Sequence, residues 1–449
     1  MSFPRYPNYR HSGEHRLGLV PEHWKSIRLK NVLQQRVTDG PHTTPSFLDE
    51  GVPFLSVDGI QEGELRFDGC RFVSHEDHAE FKRKAAPRRN DILMGKAAST
   101  GKIARVKVDF EFSIWSPLAL IRINSTAADP AFVEYALKCP VAQAQVDNFC
   151  TYNTQKNISM DDIPRLVLAC PPLVEQAAIA TFLDHETAKI DTLVEEQKRL
   201  IELLKEKRQA VISHAVTKGL NPNAPMKDSG VEWLGEVPAH WHVLPLKYFA
   251  DIGNGSTPNR DRADYWCPTG FPWLSSTVVN QDEVTQADEF VTALALAECH
   301  LPRVQPPAIL IGITGQGRTR GMATTLMIEA TINQHIAYAR PRGETIKLGY
   351  LRRLFDMAYS KLRADSEAGG STKAAITCDQ IANLRFPVPP AAEQDEVAQA
   401  IALAAAKFDA LTEEATQTMS LLQERRTALI SAAVTGKIDV RRAGAEASV

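Results

Sequence analysis

The sequence predicts an α+β fold in which one plan, a strand-rich domain followed by a long helix, occurs twice. A Pro-Pro-x-x-Glu-Gln segment at residues 171–176 returns at residues 389–394, 218 positions later. Each segment opens a long run without proline or glycine, and each run closes on Ile-Ser-x-Ala-Val-Thr, at residues 212–217 and 430–435. Elsewhere, short apolar segments alternate with Gly, Pro, Asp and Asn, a pattern typical of strands and turns.

The repeat covers almost the whole chain. Pro-x-His-Trp occurs at residues 21–24 and 238–241, and an apolar segment ending in glycine occurs at residues 92–95 and 309–312. A period of 218 residues is far longer than that of a solenoid, so the chain carries a duplicated module. We expect domain 1 at residues 1–170, a helix at 171–220, domain 2 at 221–388, a second helix at 389–437 and a tail at 438–449.

The two long runs have the spacing of helices that pair. In each run, mostly apolar residues occur at every seventh position, as in the seam of a coiled coil. About 44 residues at about 1.5 Å each give a rod about 65 Å long. Because each rod begins at its own domain, an antiparallel coiled coil would separate the domains, and this is the predicted arrangement. The predicted seam consists of Leu183, Ile190, Gln197, Leu204 and Val211, with Leu193, Leu200 and Lys207 at complementary positions, and of Ile401, Phe408, Ala415, Leu422 and Leu429.

Local patterns predict a mixed interior for both domains. In domain 1 they indicate strands near residues 52–57, 92–94, 118–123 and 166–168, a helix at 130–138 and a polar loop at 151–157. In domain 2 they indicate a strand-rich stretch at residues 246–340, a helix at 348–362, a Gly/Ser loop at 367–372 and a last strand at 384–388.

Composition excludes several protein classes. The chain has 449 residues, 44% of them hydrophobic and 23% charged, as in globular proteins with more than one domain. No apolar run is long enough to span a membrane, and the first residues do not resemble a signal peptide. The seven cysteines are an odd number without C-x-x-C spacing. Reduced thiols in the cytoplasm are therefore expected, and a zinc site is disfavoured.

Positive charge is concentrated at corresponding places in the two domains, although the net charge is only −3. Residues 82–107 include nine basic and one acidic residue, and residues 303–353 include eight basic and two acidic residues. The second long run is acidic. Duplicated basic clusters favour nucleic acid as a ligand over scattered surface charge.

The motifs expected of an enzyme are missing. The stretch from Gly95 to Lys102 has the wrong spacing for a phosphate-binding P-loop, and no Asn/Asp-Pro-Pro-aromatic motif for adenine methylation occurs. His75 and His78 have no counterpart in domain 2, so a metal site there is disfavoured. The sequence therefore predicts a chain without catalytic residues, metal or cofactor.

Three polar loops occur in each domain, and they are the predicted DNA-binding surface. They span residues 38–44, 95–102 and 152–157 in domain 1, and residues 253–258, 312–320 and 370–373 in domain 2. Glycines let backbone N–H groups approach phosphate, Lys and Arg neutralise it, and Asn, Gln and Arg can contact base edges. The predicted DNA-binding residues are Thr38, His42, Thr43, Lys96, Ser99, Thr100, Lys102, Asn153, Gln155, Lys156, Asn254, Ser256, Thr257, Thr314, Gln316, Arg318, Arg320, Ser371, Thr372 and Lys373.

The ordered set of motifs resembles the specificity subunit of type I restriction–modification systems. Its carriers are the duplicated Pro-x-His-Trp, Pro-Pro-x-x-Glu-Gln and Ile-Ser-x-Ala-Val-Thr segments, with Thr-Gln-x-Asn-Ile-Ser at residues 154–159. The resemblance implies two target-recognition domains, each reading half of a split asymmetric site, and paired helices that fix the unread gap. The second and third loops differ between the domains, which suggests that the halves read different sequences.

The same resemblance implies partners and cofactors. Two modification subunits would carry S-adenosylmethionine and methylate adenine, and restriction subunits would use ATP and Mg²⁺. This chain would be the non-catalytic reader of double-stranded DNA. Two alternatives stay open from the residues alone: a spacer that binds proteins, and a stand-alone DNA-modifying enzyme with its own target domains.

Overall fold

The computed structural model describes residues 3–152, 155–315, 317–368 and 374–441. These residues form two compact units. Unit 1 joins the chain up to Gln197 to the residues from Gln417 onward, and unit 2 is Lys198–Thr416. Each unit therefore contains one domain together with parts of both long helices.

Domain 1 consists of short strands and helices. The strands are β1 (Tyr9–His11), β2 (Leu19–Pro21), β3 (Lys25–Arg28), β4 (Thr38–Asp39), β5 (Val52–Leu55), β6 (Ile60–Gln61), β7 (Glu64–Leu65), β8 (Arg71–Val73), β9 (Ile92–Gly95), β10 (Ile103–Arg105), β11 (Ser113–Ile114), β12 (Leu118–Ile121), β13 (Thr151–Tyr152), β14 (Lys156–Asn157) and β15 (Val167–Cys170). The helices are α1 (His75–Lys84), α2 (Pro130–Lys138) and α3 (Pro140–Phe149), and the long helix α4 (Leu173–Lys218) follows.

Domain 2 repeats this plan. The strands are β16 (Met226–Asp228), β17 (Glu236–Pro238), β18 (His242–Pro245), β19 (Ala250–Asn254), β20 (Trp266–Cys267), β21 (Phe271–Leu274), β22 (Glu283–Val284), β23 (Glu289–Val291), β24 (Ala308–Gly312), β25 (Ala323–Leu326), β26 (Thr331–Ile332), β27 (Ile336–Pro341) and β28 (Arg385–Val388). The helices are α5 (Ala293–Glu298), α6 (Leu348–Ala368) and α7 (Cys378–Asn383), and the long helix α8 (Ala391–Val434) follows.

Strand order shows that the domains are copies. The central sheet has the order β4-β12-β9-β10 in domain 1 and β19-β27-β24-β25-β22 in domain 2. In a second sheet, β11 runs parallel to β5, and β26 runs parallel to β21. The same neighbours recur in the same order, so the predicted duplication and the α+β class are confirmed.

The central strands are buried on both faces. Ile92 and Met94 of β9 lie in a core shared with α2, whereas Leu93 lies in a core shared with β5. In β24, Ile309 and Ile311 likewise pack toward α6, opposite Leu310. Successive side chains of a strand point to opposite faces, so a strand between two cores needs a continuous apolar run. The apolar segments that repeat in the sequence are these strands.

The repeated motifs meet where each long helix begins. The Gln176 side-chain oxygen accepts a hydrogen bond from the backbone N–H of Asp129 at 2.8 Å, just before α2. The Gln394 side-chain oxygen accepts one from Lys347 N–H at 2.7 Å, just before α6. Each glutamine side chain also donates to the carbonyl of the first proline of its own motif, at 2.8 Å. These amides fix each long helix to its domain.

The long helices run antiparallel in each unit. In unit 1, Arg426 of α8 donates to Asp191 of α4 at 2.8 Å. In unit 2, Asp409 of α8 lies 3.7 Å from Arg208 of α4. Within unit 1, Leu183 shares a core with Ile430, whereas the later Asp191 pairs with the earlier Arg426. Within unit 2, Arg208 lies near Asp409, whereas the later Ile212 shares a core with the earlier Ile401. The predicted pairing is confirmed.

The seam is narrower than predicted. Leu183, Ile190 and Leu204 are buried as expected. Leu193 and Leu200 are 43% and 41% exposed, and the buried neighbour of Leu193 is Val194. One partner helix covers only a narrow strip of another, and the two leucines lie outside that strip. The complementary half of the predicted seam was therefore wrong at these positions.

Two helices of domain 1 were not expected, and the boundaries of the others shifted slightly. Helix α1 is polar and begins at Ser74, whose hydroxyl accepts from Asp77 N–H. Helix α3 begins with Pro140, where domain 2 continues through the single helix α6. Proline breaks a helix interior but suits its first turn. None of the described helices contains an apolar stretch of the length that a membrane span requires.

Candidate nucleic-acid interface

The three predicted loops of domain 1 lie together. The carbonyl of Lys96 in the second loop accepts from Ile158 N–H, next to the third loop, at 2.9 Å. The hydroxyl of Thr100 donates to the carbonyl of Lys156 at 2.6 Å. The Lys96 ammonium is 3.0 Å from Asp39 in the first loop. Residues distant in sequence therefore form one surface.

Asp39 lies beneath the middle of this surface, and its side chain is fully buried. Its carboxylate lies 2.5 Å from the Lys84 ammonium and 3.1 Å from Nε2 of His42. Burial by itself would raise the pKa of Asp39, but the ion pairs with the ammonium groups of Lys84 and Lys96 outweigh it and hold the pKa below its ordinary value. The ionised carboxylate thus orients His42 and Lys96 from beneath the loops.

The remaining predicted residues of domain 1 differ in accessibility. Thr43, Lys102 and Gln155 are exposed, whereas Ser99 is half-buried. The Lys156 ammonium is engaged by Asp147. Thr38 has its hydroxyl buried without a hydrogen-bond partner among the described residues. Asn153 lies outside the described residues.

In domain 2 the first and second loops meet at residues 333–335. The Thr257 hydroxyl donates to the side chain of Gln334. The Thr314 hydroxyl lies 2.8 Å from Nδ1 of His335, and the backbone N–H of Ser256 donates to Ile332 at 3.0 Å. Asn254, at the end of β19, and Arg318 are exposed. Gln316, Ser371, Thr372 and Lys373 lie outside the described residues.

Arg320 has a placement that its sequence position did not indicate. It is buried, with 3% of its surface exposed. Its guanidinium pairs with Glu367 at the end of α6 and donates to the carbonyl of Ala374 at 3.3 Å. Because the side chain points inward, Arg320 fastens the second loop to α6 and does not lie on the surface predicted to meet DNA.

Sequence reasoning missed one segment in each domain. Residues 115–117 contact both neighbouring loops, since Ser116 N–H donates to Pro41 at 3.2 Å and Pro117 accepts from Lys96 N–H at 2.8 Å. Residues 333–335 are their counterpart in domain 2. Both follow two-residue strands, β11 and β26, which are too short for a recognisable pattern. The repeat offset and the polar pair Gln334-His335 were the available signals.

Two glycines of the first loops serve packing. A Cβ at Gly40 would lie 1.8 Å from the carbonyl oxygen of Ile114, and one at Gly255 would lie 1.7 Å from that of Ile332. Such distances are impossible for any other residue without moving the backbone. These glycines bring each first loop against the strand that precedes the missed segment, and their predicted role in admitting phosphate to the backbone stays a prediction.

A comparison with known families accounts for this duplicated surface. The model of the type I restriction modification DNA specificity domain matches residues 21–203 and residues 238–417. The chain belongs to this family. The two matches are the two copies of the module, so the resemblance drawn from the motifs is confirmed.

Individual relatives agree with this assignment. The specificity subunit of the type I restriction enzyme MjaVIII from Methanocaldococcus jannaschii is 21% identical over 435 residues, covering 94% of each chain. The HsdS subunit from Thermoanaerobacter tengcongensis covers 93% of this chain and 98% of its own, at a TM-score of 0.54 and 17% identity. A chain from a structure of complex assembly and conformational transition in the type I R-M system reaches a TM-score of 0.71 at 16% identity, covering 92% and 98%. The structural likeness supports the fold.

Ion pairs reduce the charge that this specificity-domain chain presents near domain 1. Among the nine basic residues at 82–107, most pair with carboxylates from other segments, as Arg105 does with Glu134 at 2.9 Å. Within the described residues, Arg83, Arg88 and Lys102 have no ion-pair partner. The positive charge offered to a ligand is thus concentrated on a few side chains.

The described residues contain no group of three or more potential metal ligands.

Proposed function

We propose that the chain recognises a bipartite, asymmetric double-stranded DNA site, one half per domain, and holds the subunits that methylate and cut DNA. The observation that carries this proposal is the loop surface built twice on equivalent strands with different side chains. A duplicated scaffold with different surface chemistry suits two different half-sites.

The side chains available in each copy support this division. Domain 1 offers His42, Lys102 and Gln155, and domain 2 offers Asn254 and Arg318. Lys and Arg suit phosphate oxygens or guanine, and Asn and Gln suit the paired donor and acceptor of adenine. Because these sets differ, the two half-sites are expected to differ in sequence.

The long helices would set the unread gap between the half-sites. In each unit the helix pair is anchored to a domain through the Gln176 or Gln394 amide and through an ion pair between the helices. A stiff antiparallel pair can hold two readers at a fixed spacing.

The helix surface would also hold the partner subunits. Leu193 and Leu411 occupy equivalent positions and are 43% and 47% exposed, and the equivalent Leu203 and Leu421 are 51% and 64% exposed. Two equivalent apolar surfaces suit two copies of one partner, the modification subunit. In this proposal the modification subunit binds S-adenosylmethionine, and the restriction subunit binds ATP and Mg²⁺. This chain carries no catalytic group. The complex works in the cytoplasm.

The test is co-expression with the modification subunit, followed by mapping of methylated adenines on genomic DNA. A split motif, two short blocks around a fixed gap, is the expected result. A continuous motif would show that only one domain reads DNA. Methylation by the purified chain alone would favour a stand-alone enzyme, and an active complex without any sequence motif would favour the protein-binding spacer.

A further inference from the structure

A basic cleft in unit 2 lies beside the second loop, and of its lining residues Arg318 alone was among the predicted DNA contacts. It has a volume of about 340 Å³ and runs between the last part of α4, strand β25 and helix α6. Five basic and two acidic side chains line it: Lys205, Arg208, Arg318, Arg352 and Arg353, and Asp282 and Asp356.

Charge in this cleft increases toward the loop. Arg318, at the loop end, is exposed and has no ion-pair partner within the described part of the chain. Arg352 and Arg353 share the single carboxylate of Asp356. At the opposite end the cleft continues past Glu283 and Asp409, which balance it there. An anion would therefore be held at the end nearest the predicted DNA surface.

Arg208, in the middle of the cleft, is incompletely paired. Its guanidinium lies 3.7 Å from Asp409, beyond hydrogen-bond distance, and its Nε is buried without a hydrogen-bond partner among the described residues. Arg426 occupies the equivalent position in unit 1 and binds Asp191 through two nitrogens, at 2.8 and 3.3 Å. The same position is thus satisfied in one copy and left with unused donors in the other.

We propose that this cleft binds a backbone phosphate of the DNA duplex, with Arg208 and Arg318 as its main ligands. The inference rests on the proposed DNA-binding function and extends the predicted surface from Arg318 in the second loop to Arg208 on α4. Guanidinium groups pair with phosphate oxygens through N–H donors, and the Arg208 side chain, 42% exposed, has terminal N–H groups that the distant Asp409 leaves available. The contact anchors the duplex where it passes from the loops of domain 2 to the helix α4, and it is independent of base sequence.

The experiment measures duplex binding by the full chain co-purified with its modification subunits, at several salt concentrations. Each phosphate contact contributes about −0.9 to the slope of log K against log salt. Arg208→Ala is expected to reduce the magnitude of that slope by about 1 and to weaken binding equally for the mapped site and an unrelated duplex. Arg208→Lys should retain the slope, and Asp409→Asn should strengthen binding.

Arg426→Ala is the matched control, since it removes the equivalent arginine from a complete ion pair, and its slope should equal that of the wild type. If the wild-type complex binds DNA and Arg208→Ala leaves the slope unchanged, the cleft does not bind a DNA phosphate, but the proposed function is unaffected. A wild-type complex without salt-dependent duplex binding overturns the proposed function itself. Loss of the modification subunit from Arg208→Ala, with the slope kept, would show that the cleft holds a protein carboxylate.

Discussion

Glu175 accepts a hydrogen bond from the indole nitrogen of Trp24 at 3.1 Å, and this contact joins two motifs that lie 151 residues apart. The same carboxylate accepts from the hydroxyl of Tyr6 at 2.6 Å and lies 2.8 Å from His23. In unit 2, Glu393 lies 2.8 Å from His240, but the indole nitrogen of Trp241 is buried without a partner among the described residues. The hydrogen-bond network around Glu175 in unit 1 is therefore more complete than the equivalent network around Glu393 in unit 2.

This difference predicts unequal effects of one substitution. Glu175→Ala leaves the buried donors of Tyr6 and Trp24 unsatisfied, at about 1–3 kcal/mol each. We expect domain 1 to lose about 2–6 kcal/mol, whereas Glu393→Ala, which removes a partly exposed pair, costs about 1 kcal/mol or less. Hydrogen–deuterium exchange of peptides from each domain measures both losses separately. Equal losses would contradict the unequal bonding.

A second prediction concerns the glycine of the first loop in domain 2. Gly255→Ala would place a methyl group 1.7 Å from the carbonyl oxygen of Ile332, and the backbone must shift. We expect a loss of about 1–3 kcal/mol in unit 2, as for other overpacked sites, with weaker DNA binding by that domain. Gly317→Ala is the control because a Cβ there has no atom within 4 Å. Thermal unfolding compares the two, and equal midpoints would sink the packing role.

The buried carboxylate beneath the loops of domain 1 predicts a pH dependence. The pKa of Asp39 is lower in the folded chain than its ordinary value of about 4. Its contribution to stability is therefore complete above that ordinary value and is lost as the pH falls through the folded value. Urea unfolding of wild type and Asp39→Asn should show a stability difference that is constant above about pH 5 and shrinks below about pH 4.

The control for that prediction is Asp109→Asn, which removes an exposed pair with Arg89. It should change stability by about 1 kcal/mol or less. A difference between wild type and Asp39→Asn that stayed the same down to pH 3 would rule out the linkage.

The segment that sequence reasoning missed gives a prediction about specificity. Gln334 lies between the first and second loops of domain 2, and Gln334→Ala should relax or change one block of the methylated motif and leave the other intact. Gln305→Ala, an exposed glutamine of the same domain paired with Glu329, should change neither. Methylation mapping distinguishes these results, and a change in both blocks would refute the assignment of one half-site to each domain.

The ruler role of the helices can be measured as a length. Seven residues inserted into both α4 and α8 add about 10 Å, which is about three base pairs of duplex. The gap in the methylated motif should grow by that amount while both blocks stay the same. The same insertion near residues 221–224, outside the helices, is the control and should leave the gap unchanged; a constant gap in both variants would argue against the ruler.

Elements with long-range apolar patterning could be predicted from the sequence. The helices α4 and α8 follow from runs without proline or glycine, and β9, β12 and β24 follow from continuous apolar segments between two cores. Helix α1 escaped prediction because its stability comes from a cap at Ser74 and from packing of Phe81, with few apolar residues. A seven-residue spacing alone does not show which strip of α4 its partner helix covers, so it predicts a buried Leu193, which the structure leaves 43% exposed.

The predicted loops were found together in domain 1, but accessibility within them depended on tertiary contacts. Arg320 and Arg318 are two positions apart in the sequence, and the first is buried against Glu367 while the second is exposed. Asp39 was overlooked because a lone aspartate in a loop gives no sign that Lys84 and Lys96 converge on it. Such roles follow from burial, which local composition does not specify.

The end of α8 closes the core of domain 1. Ile430, Ala433 and Val434 belong to the same core as Trp24, the carbonyl of Gly436 accepts from Tyr9, and Asp439 N–H donates to Pro4 at 2.8 Å. During synthesis, domain 1 leaves the ribosome first, but its core is completed last. The end of α4, which packs into the core of domain 2, is synthesised earlier. A nascent chain halted before residue 430 would expose the apolar surface around Trp24, so domain 1 lacks part of its core until the end of α8 has been synthesised.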